Sequence, residues 1–144
     1  MMIPWEAATD RSPETANSRA TIDPALAGLF VFLGHLYPVW LRGKGGKGVA
    51  TGLGVALGIN LVLGLLTCLP WALLFLLTRT PSIASLGSFA VLPILSIPRV
   101  YRSWIPNNAL PPYASLLFLT MALLVFIRHR ENIKRLLSGK EYSI

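Results

Sequence analysis

The chain has 144 residues, of which 53% are hydrophobic and only 13% are charged. An ordinary soluble domain is about 45–50% apolar and about 25% charged, so this composition predicts an integral membrane protein surrounded by a lipid bilayer. The formal net charge of +7 is divided into short basic blocks between apolar runs. Such blocks are typical of loops beside an anionic leaflet and unlike a nucleic-acid-binding stripe, so we expect no DNA or RNA partner.

The N-terminal part of the chain predicts a flexible leader followed by a short apolar element. Residues 1–23 mix acidic residues, basic residues and proline, and they lack the apolar centre of a signal peptide. The first apolar stretch, Ala25–Leu33, is interrupted by "GHLYP" after nine residues. A perpendicular crossing needs about 20 residues, so this stretch is either half a span or a span that ends in a polar site.

A glycine-rich segment, "LRGKGGKGVATGLG", occupies residues 41–54. Four glycines within six residues exclude a helix there, but the loop leads into a helix start at Gly48–Thr51. Free N–H groups and the macrodipole at a helix start favour a phosphate, and Lys44 and Lys47 add positive charge. The segment is not a Walker A loop, because glycine follows Lys47. The residues alone leave open a phosphate site or a flexible basic loop facing the cytoplasm.

The next apolar region, Val49–Leu77, has 29 residues, which is too long for one ordinary crossing and too short for two complete ones. The two densest basic blocks of the chain are Arg42–Lys47 and Arg128–Arg135. The positive-inside rule places both in the cytoplasm, which requires an even number of crossings between them. If Val49–Leu77 is a single span, three crossings separate the two basic blocks. If the region is broken at Asn60, four crossings separate them. We therefore expect the break.

Two further apolar runs, Ile83–Ile97 and Pro112–Ile127, are each near spanning length and are joined by a proline-rich loop. Small residues recur at helical spacing in "GVATG" (residues 48–52) and "GVALG" (residues 54–58), which predicts close packing of helices. The only cysteine, Cys68, lies inside an apolar run. It has no partner for a disulfide and is interpreted as a small hydrophobic residue.

Polar residues follow two of the apolar runs. His35 in "GHLYP" stands where the first run ends, a position typical of an interfacial hydrogen-bonding residue. In "TRTPSIAS", Pro81 is suited to a helix start, and Ser82 and Ser85 are three residues apart, on one helical face. By themselves these serines predict hydrogen bonds between helices.

The C-terminal segment "RHRENIKRLLSGKEYSI" predicts a short basic helix that ends near Gly139. His129 and Asn132 are three residues apart and share one face of this helix. Two interpretations remain open. The helix is either an amphipathic element lying on the membrane or the carrier of a His and Asn pair that faces a polar substrate.

Three strings carry a resemblance to a known family: "GHLYPVWLRGKGGKGVATGLGVALG", "TRTPSIAS" and "HRENIKRLLSGKE". In this order and spacing they resemble blocks of the bacterial membrane acyl-phosphate:glycerol-3-phosphate acyltransferases, over roughly residues 25–141. The resemblance implies an all-α, polytopic helical integral membrane protein with short or broken helices around a glycine-rich loop. It also implies a place in the bacterial inner membrane, with several spans and a site facing the cytoplasm.

The activity implied by the resemblance is acyl transfer from acyl phosphate to the 1-hydroxyl of glycerol 3-phosphate. The products are lysophosphatidate, for phospholipid synthesis, and inorganic phosphate, and no metal, coenzyme A or other cofactor is needed. The resemblance assigns catalytic roles to Lys47, Ser82, His129 and Asn132. It assigns phosphate binding to Lys44, Gly45, Gly46, Lys47 and Gly48, and makes Glu141 a tail position of the family pattern.

One family feature has no match in this chain. The family normally begins with further membrane segments and a block like "SGNxGATNxxR", and residues 1–34 do not resemble it. We therefore expect residues 24–144 to correspond to the C-terminal part of such an enzyme, either as a truncated or misannotated gene product or as one half of a split enzyme whose partner is the missing N-terminal segment. The alternative is a non-catalytic membrane fragment or subunit. A small transporter or channel is less favoured, because the spans carry almost no charge for an ion path.

Overall fold

The computed structural model describes residues 23–104, 110 and 113–141. Within these ranges the chain forms α-helices and no strand, as the sequence predicts. The helices are α1 (Pro24–Leu36), α2 (Val49–Ile59), α3 (Leu61–Thr78), α4 (Pro81–Leu95), α5 (Pro98–Trp104), α6 (Ala114–Arg128) and α7 (Arg130–Leu137). The predicted leader, apart from Asp23, lies outside the described residues.

The predicted break at Asn60 is confirmed. Asn60 has an extended backbone, with φ −155° and ψ 114°, and separates α2 from α3. Its side-chain oxygen accepts a hydrogen bond from the backbone N–H of Leu63 at 3.0 Å, which caps α3. At about 1.5 Å per residue, α2 is about 16 Å long and α3 about 27 Å, so α2 is much shorter than a bilayer core of about 30 Å.

Other helix ends also follow from local chemistry. The Asp23 carboxylate accepts from the N–H of Ala25 at 2.9 Å and caps α1. Pro81 occupies the first turn of α4, where the missing N–H costs nothing. Gly139, with φ +67°, follows α7 in the left-handed conformation that ends many helices. The predictions for Pro81 and Gly139 are therefore confirmed.

Helices α1, α2, α3, α4 and α6 contribute to the apolar core. Its fully buried members are Phe32, Leu36, Ala56, Leu63, Phe89, Leu92, Ala114, Phe118, Met121 and Val125. A Cβ on Gly52 would lie 2.5 Å from the Phe89 ring, so this glycine allows α2 to approach α4. The predicted packing is wrong for Gly54 and Gly58, since no described atom lies within 4 Å of a Cβ built there.

Large apolar side chains also cover the outside of the bundle. Exposed examples are Phe30, Val31, Leu61, Leu69, Leu76, Leu77, Leu116 and Leu123. A soluble monomer rarely exposes so many large apolar side chains, whereas lipid accommodates them. Two of the described segments, Pro24–Leu41 and Leu61–Thr78, are long and apolar enough to cross a membrane.

Candidate active site

The glycine-rich loop connects α1 to α2 and depends on left-handed backbone conformations. After a short 3-10 turn at Val39–Leu41, Arg42 has φ +51° and Gly43 has φ +75°. Gly48, with φ +81°, directly precedes α2. Glycine adopts these conformations without steric cost, so Gly43 and Gly48 let the chain turn back sharply and enter α2.

The central glycines of the loop lie against the C-terminal end of α1. A Cβ on Gly45 would clash with the carbonyl oxygens of His35 and Leu36, and one on Gly46 would clash with the His35 ring. The N–H of Gly46 donates to the His35 carbonyl at 3.2 Å. Gly45 and Gly46 are therefore required for close approach, and His35 is part of the support of the loop.

The backbone amides of the loop divide into two groups. Those of Gly43, Lys44 and Gly46 donate to the carbonyls of Pro38, Leu41 and His35. Among the described residues, none accepts a hydrogen bond from the amides of Gly45, Lys47 and Gly48. Those of Lys47 and Gly48 lead into the start of α2, where the helix dipole also favours an anion, whereas that of Gly45 lies farther back in the loop.

A cavity of about 350 Å³ opens beside Lys47. Its polar side chains include Lys47, Ser82 and His129, and the other lining residues are Val49, Ala50, Leu53, Trp71, Pro81 and Ser85. Mostly apolar walls with a few converging polar groups are typical of small-molecule sites. We call this space the lysine–histidine cavity.

His129 stands between α6 and α7 and is 2% exposed. Its Nδ1 lies 2.8 Å from the Val125 carbonyl, which can only accept, so Nδ1 carries the proton and Nε2 is an acceptor when the ring is neutral. Burial lowers the pKa of His129 and the charge of Lys47 lowers it further, and these effects outweigh the hydrogen bond to Val125 and the charge of Glu141, which raise it. The imidazole is therefore neutral at neutral pH.

A hydrogen-bonded cluster lies next to His129 and joins α4, α7 and the C-terminal tail. Asn132 Nδ2 donates to Ser82 Oγ at 2.7 Å and to Glu141 Oε1 at 2.6 Å. Ser82 Oγ donates to the same carboxylate oxygen at 2.5 Å, and Arg135 Nε donates to Oε2 at 2.8 Å. The donors Ser82, Asn132 and Arg135 lower the pKa of Glu141 to about 2, so it is ionised at neutral pH.

The residues assigned by resemblance are placed in different surroundings. Lys47, Ser82 and His129 line the lysine–histidine cavity, and Asn132 is bonded to Ser82. Lys44 instead lines a separate cavity of about 260 Å³ with His35 and Trp40, among others. Lys47 also lines a further cavity of about 430 Å³ beside Gly45 and Arg128, and none of these three cavities is lined by both lysines.

The sequence reasoning did not assign a role to Trp71 or Arg128. Trp71 Nε1 donates to Ser85 Oγ at 3.2 Å in the wall of the cavity, and Arg128 donates to two loop carbonyls. In the sequence, Trp71 does not differ from the other apolar residues of α3, and Arg128 does not differ from the other cations of its basic block. Within the described part of the chain, no group of three His, Cys, Asp or Glu side chains could hold a metal ion.

A model of the protein family described as "Glycerol-3-phosphate acyltransferase" matches residues 11–139. A glycerol-3-phosphate acyltransferase of Bartonella henselae is 45% identical over 120 residues, which are 83% of this chain and 53% of that protein. One of Mesorhizobium japonicum is 41% identical over 137 residues, which are 92% and 59% of the two chains. The chain therefore spans little more than half the length of these relatives.

The structure also resembles a solved membrane protein. The crystal structure of PlsY (YgiH), an integral membrane glycerol 3-phosphate acyltransferase in its glycerol 3-phosphate form, is 34% identical with a TM-score of 0.71. The match covers 83% of this chain and 56% of that one. Its lysophosphatidic acid form has the same TM-score. The predicted fold class, a helical integral membrane protein with short helices around a glycine-rich loop, is confirmed.

The cluster around Glu141 predicts a pH-dependent stability. The pKa of Glu141 falls from 4.5 to about 2 on folding, so its contribution is complete above about pH 4.5 and disappears as the pH falls towards 2. We expect Glu141→Gln to lower the melting temperature in detergent at neutral pH. The difference from the parent should shrink between about pH 5 and about pH 3.

The matched control for this measurement is Glu131→Gln, because the Glu131 side chain is 58% exposed and forms only surface ion pairs. We expect it to change the melting temperature little at any pH. Equal effects of the two substitutions at neutral pH would show that the Glu141 cluster does not stabilise the fold.

Proposed function

The chain belongs to the glycerol-3-phosphate acyltransferase family, and we propose that it takes part in moving a fatty acyl group from acyl phosphate to the 1-hydroxyl of glycerol 3-phosphate. The products are lysophosphatidate and inorganic phosphate. The observation that carries this proposal is the lysine–histidine cavity, which the Lys47 cation and the neutral imidazole of His129 line together, beside a loop with amides that no described residue accepts from. Anion binding and proton acceptance are the two functions this transfer requires.

Lys47 and the nearby amides are suited to the phosphate. A lysine ammonium beside the start of α2 stabilises the charge of a bound substrate phosphate and the charge that develops on a departing one. Acyl phosphate is already activated, so the transfer depends more on positioning two anionic substrates than on a protein nucleophile. The proposal therefore requires no metal, coenzyme A or other cofactor.

His129 is suited to the acceptor hydroxyl. With Nδ1 bonded to Val125, Nε2 of the neutral ring accepts the hydrogen bond of the 1-hydroxyl. The hydroxyl oxygen attacks the acyl carbon, its proton passes to Nε2, and the bond from that carbon to the phosphate oxygen breaks. The phosphate leaves with the electron pair of that bond. Asn132 and Ser82 hold each other and Glu141, and they fix the polar wall beside the ring.

The apolar walls of the cavity support the assignment of the acyl donor. Val49, Leu53 and Trp71 line the same space as Lys47. A fatty acyl chain in contact with these side chains places its phosphate beside the lysine. The lipid-exposed outer faces of the helices provide the surroundings from which such a chain enters.

We also propose that the site faces the cytoplasm of a bacterial inner membrane and that the chain has several spans. The supporting observation is that Arg128, in the second basic block, contacts Gly45 and Gly46, between the cations of the first block. The two blocks thus lie at the same end of the bundle. The positive-inside rule assigns such an end to the cytoplasm.

The experiment that tests the proposed function measures phosphate release from palmitoyl phosphate by the purified chain, with and without glycerol 3-phosphate. The chain is assayed alone and together with the N-terminal part of the Bartonella henselae relative. We expect acceptor-dependent release by the combination and little by the chain alone, because positioning accounts for about 7–11 kcal/mol of such a barrier.

The control for this assay is the intact Bartonella henselae relative under the same conditions. If the intact relative turns over and the combination does not, the proposed function is wrong and the chain is a non-catalytic membrane subunit. Robust acceptor-dependent release by the chain alone would keep the function and overturn the expected need for a further segment.

Lys47→Ala tests the phosphate contact in the active form of the protein. A charge-assisted hydrogen bond contributes about 1.5–3 kcal/mol, so we expect activity to fall about tenfold to a hundredfold or more. Lys134→Ala is the matched control, because Lys134 is 72% exposed and its ion pair among the described residues is with Glu131. Equal activity of the two variants at limiting and saturating substrate would remove Lys47 from the site.

A further inference from the structure

Arg128 at the end of α6 reaches across to the glycine loop, and its contacts join parts of the chain that are 82 and 83 positions apart. Its Nη2 donates to the Gly45 carbonyl at 2.5 Å and its Nε donates to the Gly46 carbonyl at 3.2 Å. We infer that Arg128 is a positioning residue that holds the loop in its phosphate-binding conformation. This inference rests on the proposed function of the cavity beside Lys47.

The two contacts require the shape of an arginine side chain. Two donors of one planar guanidinium meet two consecutive carbonyl oxygens, which a lysine ammonium on a flexible stem does not reproduce. The guanidinium also lies 5.5 Å from the centre of the Tyr37 ring, within the range of a cation–π contact. Tyr37 follows α1 directly, so the same guanidinium contacts both the end of α1 and the glycine loop.

The direction of the loop carbonyls explains why this contact matters for an anion. In a trans peptide the C=O and the following N–H point in opposite directions. With the Gly45 carbonyl turned to Arg128, the N–H of Gly46 points the other way and donates to His35. With the Gly46 carbonyl also turned to Arg128, the N–H of Lys47 points away from the guanidinium.

Arg128 thereby removes two obstacles to phosphate binding. Carbonyl oxygens repel a phosphate, and both are satisfied by the guanidinium instead of facing a ligand. A loop with four glycines has high conformational freedom, and tethering it in advance reduces the entropy lost when the ligand binds. His129 follows Arg128 in the chain, so one helix end places both the loop and the imidazole.

The first test measures how well the loop is held, without using activity. The parent, Arg128→Lys and Arg128→Gln are treated with trypsin in detergent, and cleavage after Arg42, Lys44 and Lys47 is followed by mass spectrometry. We expect cleavage about tenfold faster in both variants, because local opening becomes easier when the loop loses its two bonds. Cleavage after the exposed Arg79 should not change, which serves as an internal reference.

Lys134→Gln is the matched control, because it removes one positive charge from α7 without touching the loop. Arg128→Lys keeps the positive charge but loses the planar guanidinium, so it tests whether the shape of the side chain matters. If Arg128→Lys behaves like the parent, charge alone suffices and the inference is wrong. If all variants cleave at the parent rate, Arg128 does not hold the loop, and the inference is equally wrong.

The second test separates positioning from general damage to the fold. In the turnover assay we expect Arg128→Gln to raise KM about tenfold for the substrate whose phosphate lies beside Lys47, with a smaller change in kcat. Separate titrations of glycerol 3-phosphate and palmitoyl phosphate identify that substrate. A variant that merely loses folded protein shows lower kcat with unchanged KM, and this result together with unchanged trypsin cleavage would overturn the inference.

The two proposals fail in different ways. If the parent has no turnover with the N-terminal part added, the proposed function fails, while the trypsin comparison still decides whether Arg128 holds the loop. If turnover is present and both KM values are unchanged in a variant with a loosened loop, the function stands and the positioning role of Arg128 is wrong.

Discussion

The contact between the glycine loop and the C-terminal end of α1 determines where Lys47 lies. Gly45 and Gly46 approach the carbonyls and ring at the end of α1 so closely that any side chain would clash. The loop is therefore pressed between α1 on one side and Arg128 of α6 on the other. Because α2 begins directly after Gly48, this contact also sets the position of α2 against the core.

A second constraint comes from polar groups buried in an apolar bundle. Ser82, Asn132 and His129 are each less than 9% exposed, and a buried polar group without a partner costs several kcal/mol in lipid-like surroundings. The carboxylate of Glu141 satisfies Ser82 and Asn132 together, and the Val125 carbonyl satisfies one side of the His129 ring. What remains available for a ligand is the other ring nitrogen, the ammonium of Lys47 and the loop amides that no described residue accepts from.

Local features of the fold were predictable because their causes lie within a few residues. Pro81 and Gly139 act through their own backbone geometry. The break at Asn60 was predicted from the number of crossings between the two basic blocks, and the cap that Asn60 forms on the next helix was seen only in the structure. The contacts of Arg128 were not predictable, because a basic block near a membrane has a sufficient explanation in topology alone. Packing of Gly54 and Gly58 was predicted wrongly, since the spacing of small residues marks a helix face and does not tell whether a helix covers it.

The separation of the two loop lysines gives the most direct test of the site. A structure of the chain determined with glycerol 3-phosphate would show which lysine binds the phosphate group. We predict that the phosphate lies within hydrogen-bonding distance of Lys47 Nζ and of an amide at the start of α2, with the 1-hydroxyl directed towards His129. A phosphate bound instead in the cavity of Lys44 and His35, with the lysine–histidine cavity empty, would contradict the assignment of the active site.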